Sequence, residues 1–215
     1  MNKVPYDAVL FYLWRCKIEM IFIVIGLLGM LVGACMLWSV SKVYEKYSFN
    51  KKEYVMSAIL NGLFYVLIYM KFGFISYAWL LMILSIILTA LFVIDFKYQD
   101  LPDGLNAVVF LLSIVYLVVW RIDTPIPYVI TAISLFVGFL LLALLTGALG
   151  GGDIKFMGAI GLFFHYNQIP QLLMYAFFTA SIFAIGLMIF KKSKKDDMFA
   201  FGPFLIIGVL ATLLV

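Results

Sequence analysis

The stretch YAWLLMILSIILTALFVI, at residues 77–94, carries no charged side chain and ends directly before Asp95. A helix needs about 20 mostly apolar residues to cross roughly 30 Å of hydrocarbon, so this stretch predicts a membrane-spanning helix. Backbone polar groups in lipid must be satisfied within their own segment, which favours a helix over an open structure. The carboxylate at the end of so apolar a helix is the first candidate for chemistry.

The composition of the whole chain agrees with this stretch. Of the 215 residues, 66% are hydrophobic and 12% are charged, whereas soluble domains are roughly 45–50% apolar and about 25% charged. We therefore expect an all-α membrane protein whose residues 1–215 form one polytopic domain in the lipid bilayer. The net charge of +4 lies in short breaks between apolar runs, which argues against a nucleic-acid partner.

Apolar runs of helical length recur along the chain and predict about eight transmembrane helices. They lie at residues 20–38, 55–71, 77–94, 105–120, 127–146, 154–164, 169–190 and 199–215. The sixth run is short for a full crossing.

The distribution of lysine and arginine predicts the orientation of these helices. With eight crossings, the breaks at 39–54, 95–104, 147–155 and 191–198 lie on one face and hold ten of the fifteen basic residues. Cytoplasmic loops are enriched in basic residues, so this face is expected in the cytoplasm, provided that the sixth run crosses. Asp95 and Asp153 both fall on this face.

The first acidic cluster extends from Asp95 to Asp103. Asp95 closes an apolar helix, where the negative end of the helix dipole disfavours a carboxylate; it is either a functional group or a helix-end residue that reaches water. Asp103 precedes the next apolar run, a position typical of a helix cap, and is also a candidate for substrate contact. Asp100 is interpreted as a solvated loop residue.

The second cluster is Gly150-Gly151-Gly152-Asp153, followed by Ile154 and Lys155. Asp153 opens an apolar run, so a helix cap is a real alternative to a catalytic role. Glycine permits left-handed backbone and close approach of another chain. We therefore expect the three glycines to hold an extended peptide by strand addition. Lys155 is expected to contact the substrate as well.

Two neighbouring carboxylates share a proton, and such a pair can activate water without a metal. A metal site is not expected, because His165 is the single histidine and lies in a break on the opposite face. Nucleophilic Ser/His or Cys/His catalysis is disfavoured for the same reason. Cys16 and Cys35 form no CxxC pair and are interpreted as packing residues.

In their order, these motifs resemble those of the type IV prepilin peptidase family of GxGD aspartic proteases. The resemblance rests on Asp95, Pro102-Asp103, Gly150-Gly151-Gly152-Asp153 and the closing Phe201-Gly202-Pro203-Phe204. It implies that Asp95 and Asp153 are the catalytic pair. It also implies a protein of the inner, or cytoplasmic, membrane that removes the charged leader of prepilins or pseudopilins at the cytoplasmic face.

The chain departs from the family in one loop. Many bacterial members carry paired CxxC motifs between the first two helices, whereas residues 39–54 contain no cysteine. The resemblance thus implies a short form without the zinc-binding loop and no cofactor for proteolysis. N-methylation with S-adenosylmethionine, which many members perform, is left open.

Two other functions are compatible with intramembrane carboxylates: a transporter that relays ions, and a nonenzymatic assembly factor of a pilus or secretion machine. A transporter is expected to place its acids near the midplane, in broken helices. Both aspartates here are predicted at helix ends on one face, which favours the protease.

Overall fold

The part of the chain that the structure describes forms eight α-helices. The computed structural model describes residues 6–147, 149–191 and 200–215, and side chains within residues 19–147, 149–189 and 200–215. The helices are α1 (Tyr6–Val43), α2 (Lys51–Phe72), α3 (Ser76–Tyr98), α4 (Asp103–Trp120), α5 (Ile126–Thr146), α6 (Gly151–Ile160), α7 (Ile169–Lys191) and α8 (Gly202–Leu214). Two 3₁₀ turns, Gly161–Phe163 and Tyr166–Gln168, link α6 to α7. No strand occurs in these ranges, which confirms the all-α prediction.

Each predicted apolar run corresponds to one helix, but the helices differ in length. Six helices are long and apolar enough to cross a membrane: α1 to α5 and α7. Helix α6 has 10 residues and α8 has 13, both fewer than the roughly 20 of a full crossing. The chain is a multi-pass membrane protein.

Residues with left-handed backbone end three of the helices. Gly73 follows α2 with φ 63°, and Gly147 follows α5 with φ 66°. Gln99, with φ 52°, ends α3, and its N–H donates to the Asp95 carbonyl at 2.9 Å. These turns return the chain towards the bundle at the points where the apolar runs stop.

The chain divides into two compact units, residues 1–86 and residues 87–215. In the first unit, α1 packs against α2 through the glycines that the sequence places at helical spacing. A Cβ atom at Gly29 would lie 2.9 Å from the Gly62 Cα, and one at Gly33 would lie 2.8 Å from the Ser57 carbonyl. The backbones therefore approach closely. Cys35 is exposed, contrary to the packing role expected for it, and the side chain of Cys16 lies outside the described residues.

A buried amide adds hydrogen bonds to this helix pair. Asn61 is fully buried, and its Nδ2 donates to the Gly29 carbonyl at 2.8 Å. The Ser85 hydroxyl donates to Asn61 Oδ1 at 3.1 Å. One side chain thus bonds to both α1 and α3.

In the second unit, contacts along α4 trace the course of the short sixth segment. Lys155 of α6 pairs with Asp103 at the first residue of α4. Phe163, in the 3₁₀ turn that follows α6, stacks on Tyr116 in the last turns of α4, with ring centroids 4.8 Å apart. The segment therefore runs from one end of α4 to near the other, although its helical part is only 10 residues long.

The buried amide of the first unit can be tested by truncation. We expect Asn61→Ala to lower the free energy of unfolding by about 1–2 kcal/mol, because it removes two interhelical hydrogen bonds. Thermal unfolding in detergent would measure the loss. Ser39→Ala is the matched control, because the exposed Ser39 hydroxyl bonds only within its own helix, to the Cys35 carbonyl. An equal effect of both substitutions would contradict the assignment.

Candidate functional site

Asp95 lies in the last turn of α3, as the sequence predicts, and points into the protein. It is 5% exposed, and its Oδ2 atom is buried without a hydrogen-bond partner among the described residues. The backbone N–H of Gly202, the first residue of α8, donates to the Asp95 carboxylate. A buried carboxylate oxygen without a partner is costly, and such groups in native proteins call for an explanation.

Asp153 lies in the first turn of α6 and is 9% exposed. The Gly150 N–H donates to its Oδ2 at 3.3 Å, while Oδ1 is buried and has no partner in the part of the chain that the structure describes. Burial raises the pKa of the Asp153 carboxyl to about 6, and the bond from Gly150 opposes this shift. Asp153 therefore keeps its proton to a higher pH than a solvent-exposed aspartate does.

The structure brings the two aspartates together next to Gly202. A Cβ atom placed on Gly202 would lie 2.6 Å from Asp95 Oδ2 and 3.3 Å from Asp153 Oδ1. These are the two carboxylate oxygens that lack partners. Two carboxylates this close cannot both ionise at low cost, so they titrate as a coupled pair that holds one proton over part of the pH range.

The glycine run adopts a different conformation from the one expected. Gly150 is extended, with φ −73° and ψ 149°, and Gly151 and Gly152 form the first turn of α6. None of the three has a positive φ. A Cβ on Gly152 would lie 2.8 Å from the Leu101 Cβ, whereas one on Gly151 would meet nothing within 4 Å. Gly152 thus serves close packing, and Gly151 is open.

Asn106 of α4 holds this packing contact together. It is 4% exposed, and its Nδ2 lies 3.4 Å from the Gly152 carbonyl and 3.5 Å from the Leu101 carbonyl. Leu101 belongs to the connection that follows Asp95, and Gly152 directly precedes Asp153. Asn106 therefore lies where the two segments that carry the aspartates meet.

Asp103 forms an ion pair instead of the predicted cap. It is the first residue inside α4, with Pro102 at the capping position, and both of its carboxylate oxygens accept from Lys155 Nζ, at 2.8 and 2.9 Å. The cap prediction is wrong because an opposite charge from α6 lies within reach. Both side chains are mainly exposed, where an ion pair adds about 0–1 kcal/mol.

The ion pair borders an open apolar groove between α4, α5 and α6, with a volume of about 470 Å³. Phe110 and Phe136 line its walls, and Asn106 lies at its edge. Neither aspartate of the pair is among its lining residues. The predicted substrate contacts Asp103 and Lys155 thus lie at this groove, apart from the two buried carboxylates.

His165 lies at the opposite end of the second unit from the aspartates. Its ring meets that of Tyr128, near the start of α5, at 5.9 Å between centroids. Among the described residues, no group of three or more His, Cys, Asp or Glu side chains could hold a metal ion.

Two residues of the site, Gly202 and Asn106, were not assigned to it from the sequence. The Gly202-Pro203 pair predicts the start of a helix. No neighbouring residue indicates that Gly202 lies close to two aspartates that are more than 45 residues away in sequence. An asparagine within the apolar run that follows Asp103 was the available signal for Asn106, because buried amides need partners.

The burial of Asp153 can be tested through the pH dependence of stability. Because folding raises the pKa of Asp153 from 3.8 to about 6, its contribution is fully present below about pH 4 and is lost as the pH rises through about 6. The loss is on the order of 3 kcal/mol. We expect Asp153→Asn to unfold at a higher temperature than the unsubstituted protein at pH 8 but not at pH 4. Asp123→Asn, at an exposed position, is the control; equal pH dependence in all three proteins would contradict the assignment.

Comparison with known proteins finds a family match that covers both aspartates of this site. Residues 82–185 match the family model described as the type IV leader peptidase family. Two curated relatives named prepilin leader peptidase/N-methyltransferase, from Aeromonas salmonicida strain A449 and from Aeromonas salmonicida, are each 28% identical over 136 residues. Each alignment covers 59% of this chain and 46% of the relative.

The chain therefore spans about half the length of the curated relatives that it matches. No solved structure matches it. The matched region includes Asp95, Asp103 and the Gly150-Gly151-Gly152-Asp153 motif, and it ends before Gly202. Residues 82–185 of this chain are therefore similar to the type IV leader peptidase family.

Proposed function

We propose that this protein is a membrane aspartic endopeptidase that removes the leader peptide of type IV prepilins or pseudopilins. The observation that carries the proposal is the pair of buried carboxylates, Asp95 and Asp153, whose unpartnered oxygens both lie close to Gly202. The family match of residues 82–185 supplies the substrate class.

The proposed reaction uses one charged and one protonated carboxylate. The charged aspartate takes a proton from water as the water oxygen attacks the scissile carbonyl carbon, and the protonated aspartate gives its proton to the carbonyl oxygen. The tetrahedral intermediate then collapses: the C–N bond breaks, the leaving nitrogen takes a proton from the first aspartate, and the second aspartate recovers its own. The raised pKa of Asp153 supports a shared proton near neutral pH.

The position of the pair supports cleavage at one face of the cytoplasmic membrane. Asp95 ends α3 and Asp153 begins α6, and two helices of spanning length, α4 and α5, separate them. The number of crossings between them is even, so both aspartates lie on one side. The distribution of the basic residues favours the cytoplasm for that side. That distribution was counted on the assumption that the sixth segment crosses the membrane, and the course of this segment along α4 supports the assumption.

Substrate contacts are proposed for Gly150, Gly151, Gly152, Asp103 and Lys155. Gly150 is exposed and directly contacts Asp153, and Gly151 has open space at its Cα. Gly152 acts through its packing against Leu101. Lys155 and Asp103 offer charged groups beside the apolar groove.

No cofactor takes part in the proposed proteolysis. The relatives' name includes an N-methyltransferase, and residues 39–54 of this chain, between the first two helices, contain no cysteine. Methylation with S-adenosylmethionine is therefore a separate proposal, which mass spectrometry of the mature N-terminus decides: an added 14 Da identifies methylation.

The function is tested by co-expression with candidate prepilins. We expect loss of the leader with the unsubstituted protein and at least a 10³-fold slower cleavage with either Asp95→Asn or Asp153→Asn, because each removes one member of the acid–base pair. Asp123→Asn, at an exposed position, is the control that should cleave normally. Normal cleavage by either dyad variant would overturn the site. No cleavage by the unsubstituted protein with several prepilins would favour an assembly factor or a transporter.

A second prediction separates the two central glycines of the motif. We expect Gly152→Ala to lower both stability and cleavage, because its Cβ would overlap Leu101. Gly151→Ala should leave thermal stability unchanged, since the space around it is open. A raised KM for Gly151→Ala would then report on substrate contact. A fully stable, fully active Gly152→Ala would contradict the packing role.

A further inference from the structure

The first turn of α8 is arranged so that one backbone donor meets the aspartate pair. The Phe204 and Leu205 N–H groups both donate to the Phe201 carbonyl, at 3.0 and 3.3 Å. Pro203 has no N–H. The Gly202 N–H remains, and it donates to the Asp95 carboxylate. The positive end of the helix dipole lies at the same point.

The space around Gly202 leaves no room for a side chain. Any Cβ at this position would lie 2.6 Å from Asp95 Oδ2 and 2.9 Å from its Cγ, too close for either atom to stay in place. The same atom would lie 3.3 Å from Asp153 Oδ1. A methyl group here would therefore displace one carboxylate and cover the two oxygens that have no partner.

Helix α8 cannot easily move away to relieve such a contact, because α7 holds it. The Phe177 and Phe201 rings are 5.6 Å apart, and those of Phe183 and Phe204 are 5.1 Å apart. Further along, a Cβ on Gly208 would lie 2.8 Å from the Leu172 carbonyl. The strain of a substitution at Gly202 would therefore fall on the aspartates.

We propose that Gly202 is a positioning residue of the aspartate pair: its N–H orients Asp95, and its missing side chain leaves room for the two unpartnered oxygens beside the start of α8. The residue lies outside the region that matches the family model. The effect on turnover rests on the proposed function, whereas the steric coupling between Gly202 and Asp95 does not.

The test compares Gly202→Ala with Gly208→Ala. Both substitutions add a methyl to the same helix at equally tight positions, but the methyl at Gly208 meets the backbone of α7. With a prepilin substrate, we expect Gly202→Ala to lower kcat at least 10²-fold with KM within about three-fold, and to displace the pH–rate profile. Gly208→Ala should lower the unfolding temperature and keep the profile. Normal kcat and pH profile in Gly202→Ala, or the same changes in Gly208→Ala, would overturn the proposal.

A thermodynamic cycle tests the same inference without turnover. Removing the Asp95 carboxylate removes the atoms that the new methyl would strike, so Gly202→Ala should cost stability in the unsubstituted protein but little in an Asp95→Ala background. Gly208→Ala should cost the same in both backgrounds. Equal losses for Gly202→Ala in both would overturn the inference. If the cycle shows coupling and no prepilin is cleaved, the proposed function fails and the positioning role stands.

Discussion

Burying two carboxylates next to each other costs free energy, and the surrounding structure is arranged around this pair. Each buried oxygen without a partner costs free energy that apolar burial must offset. Asp95 and Asp153 receive one backbone N–H each, from Gly202 and Gly150. That leaves one oxygen of each carboxylate without a partner among the described residues, and the proposed mechanism places the reacting water at these oxygens.

Bringing these groups together depends on an even number of crossings between them. Asp95 lies at the end of α3 from which the chain continues into α4. Helix α5 then returns the chain to that end before Asp153. Helix α8 then starts with Gly202 against both carboxylates. At the other end, Tyr116 and Tyr128 contact Phe163 and His165, which fixes the direction of the short sixth segment.

The sequence predicts what depends on length and polarity, and it fails where distant residues meet. Apolar runs located all eight helices, since hydropathy and helix length are local properties. The order of the motifs predicts that Asp95 and Asp153 form the catalytic pair. The cap predicted at Asp103 is wrong because Pro102 occupies the capping position of α4, and the Asp103 carboxylate bonds instead to Lys155, 52 residues away in sequence. The sequence predicts only a helix start at Gly202, because its proximity to Asp95 of α3 and Asp153 of α6 arises from tertiary packing.

The division of the chain into two units is relevant to whether the proposed proteolysis depends on residues 39–54. Both aspartates, Gly202, Asn106 and the ion pair belong to residues 87–215, whereas residues 39–54 belong to the first unit. The first unit has its own glycine packing and the Asn61 hydrogen bonds. The hydrogen bonds to the two carboxylates come from Gly202 and Gly150, which both belong to residues 87–215. A change in residues 39–54 therefore leaves these hydrogen bonds in place, and this is the physical reason to treat the proposed proteolysis and the proposed methylation as separable activities.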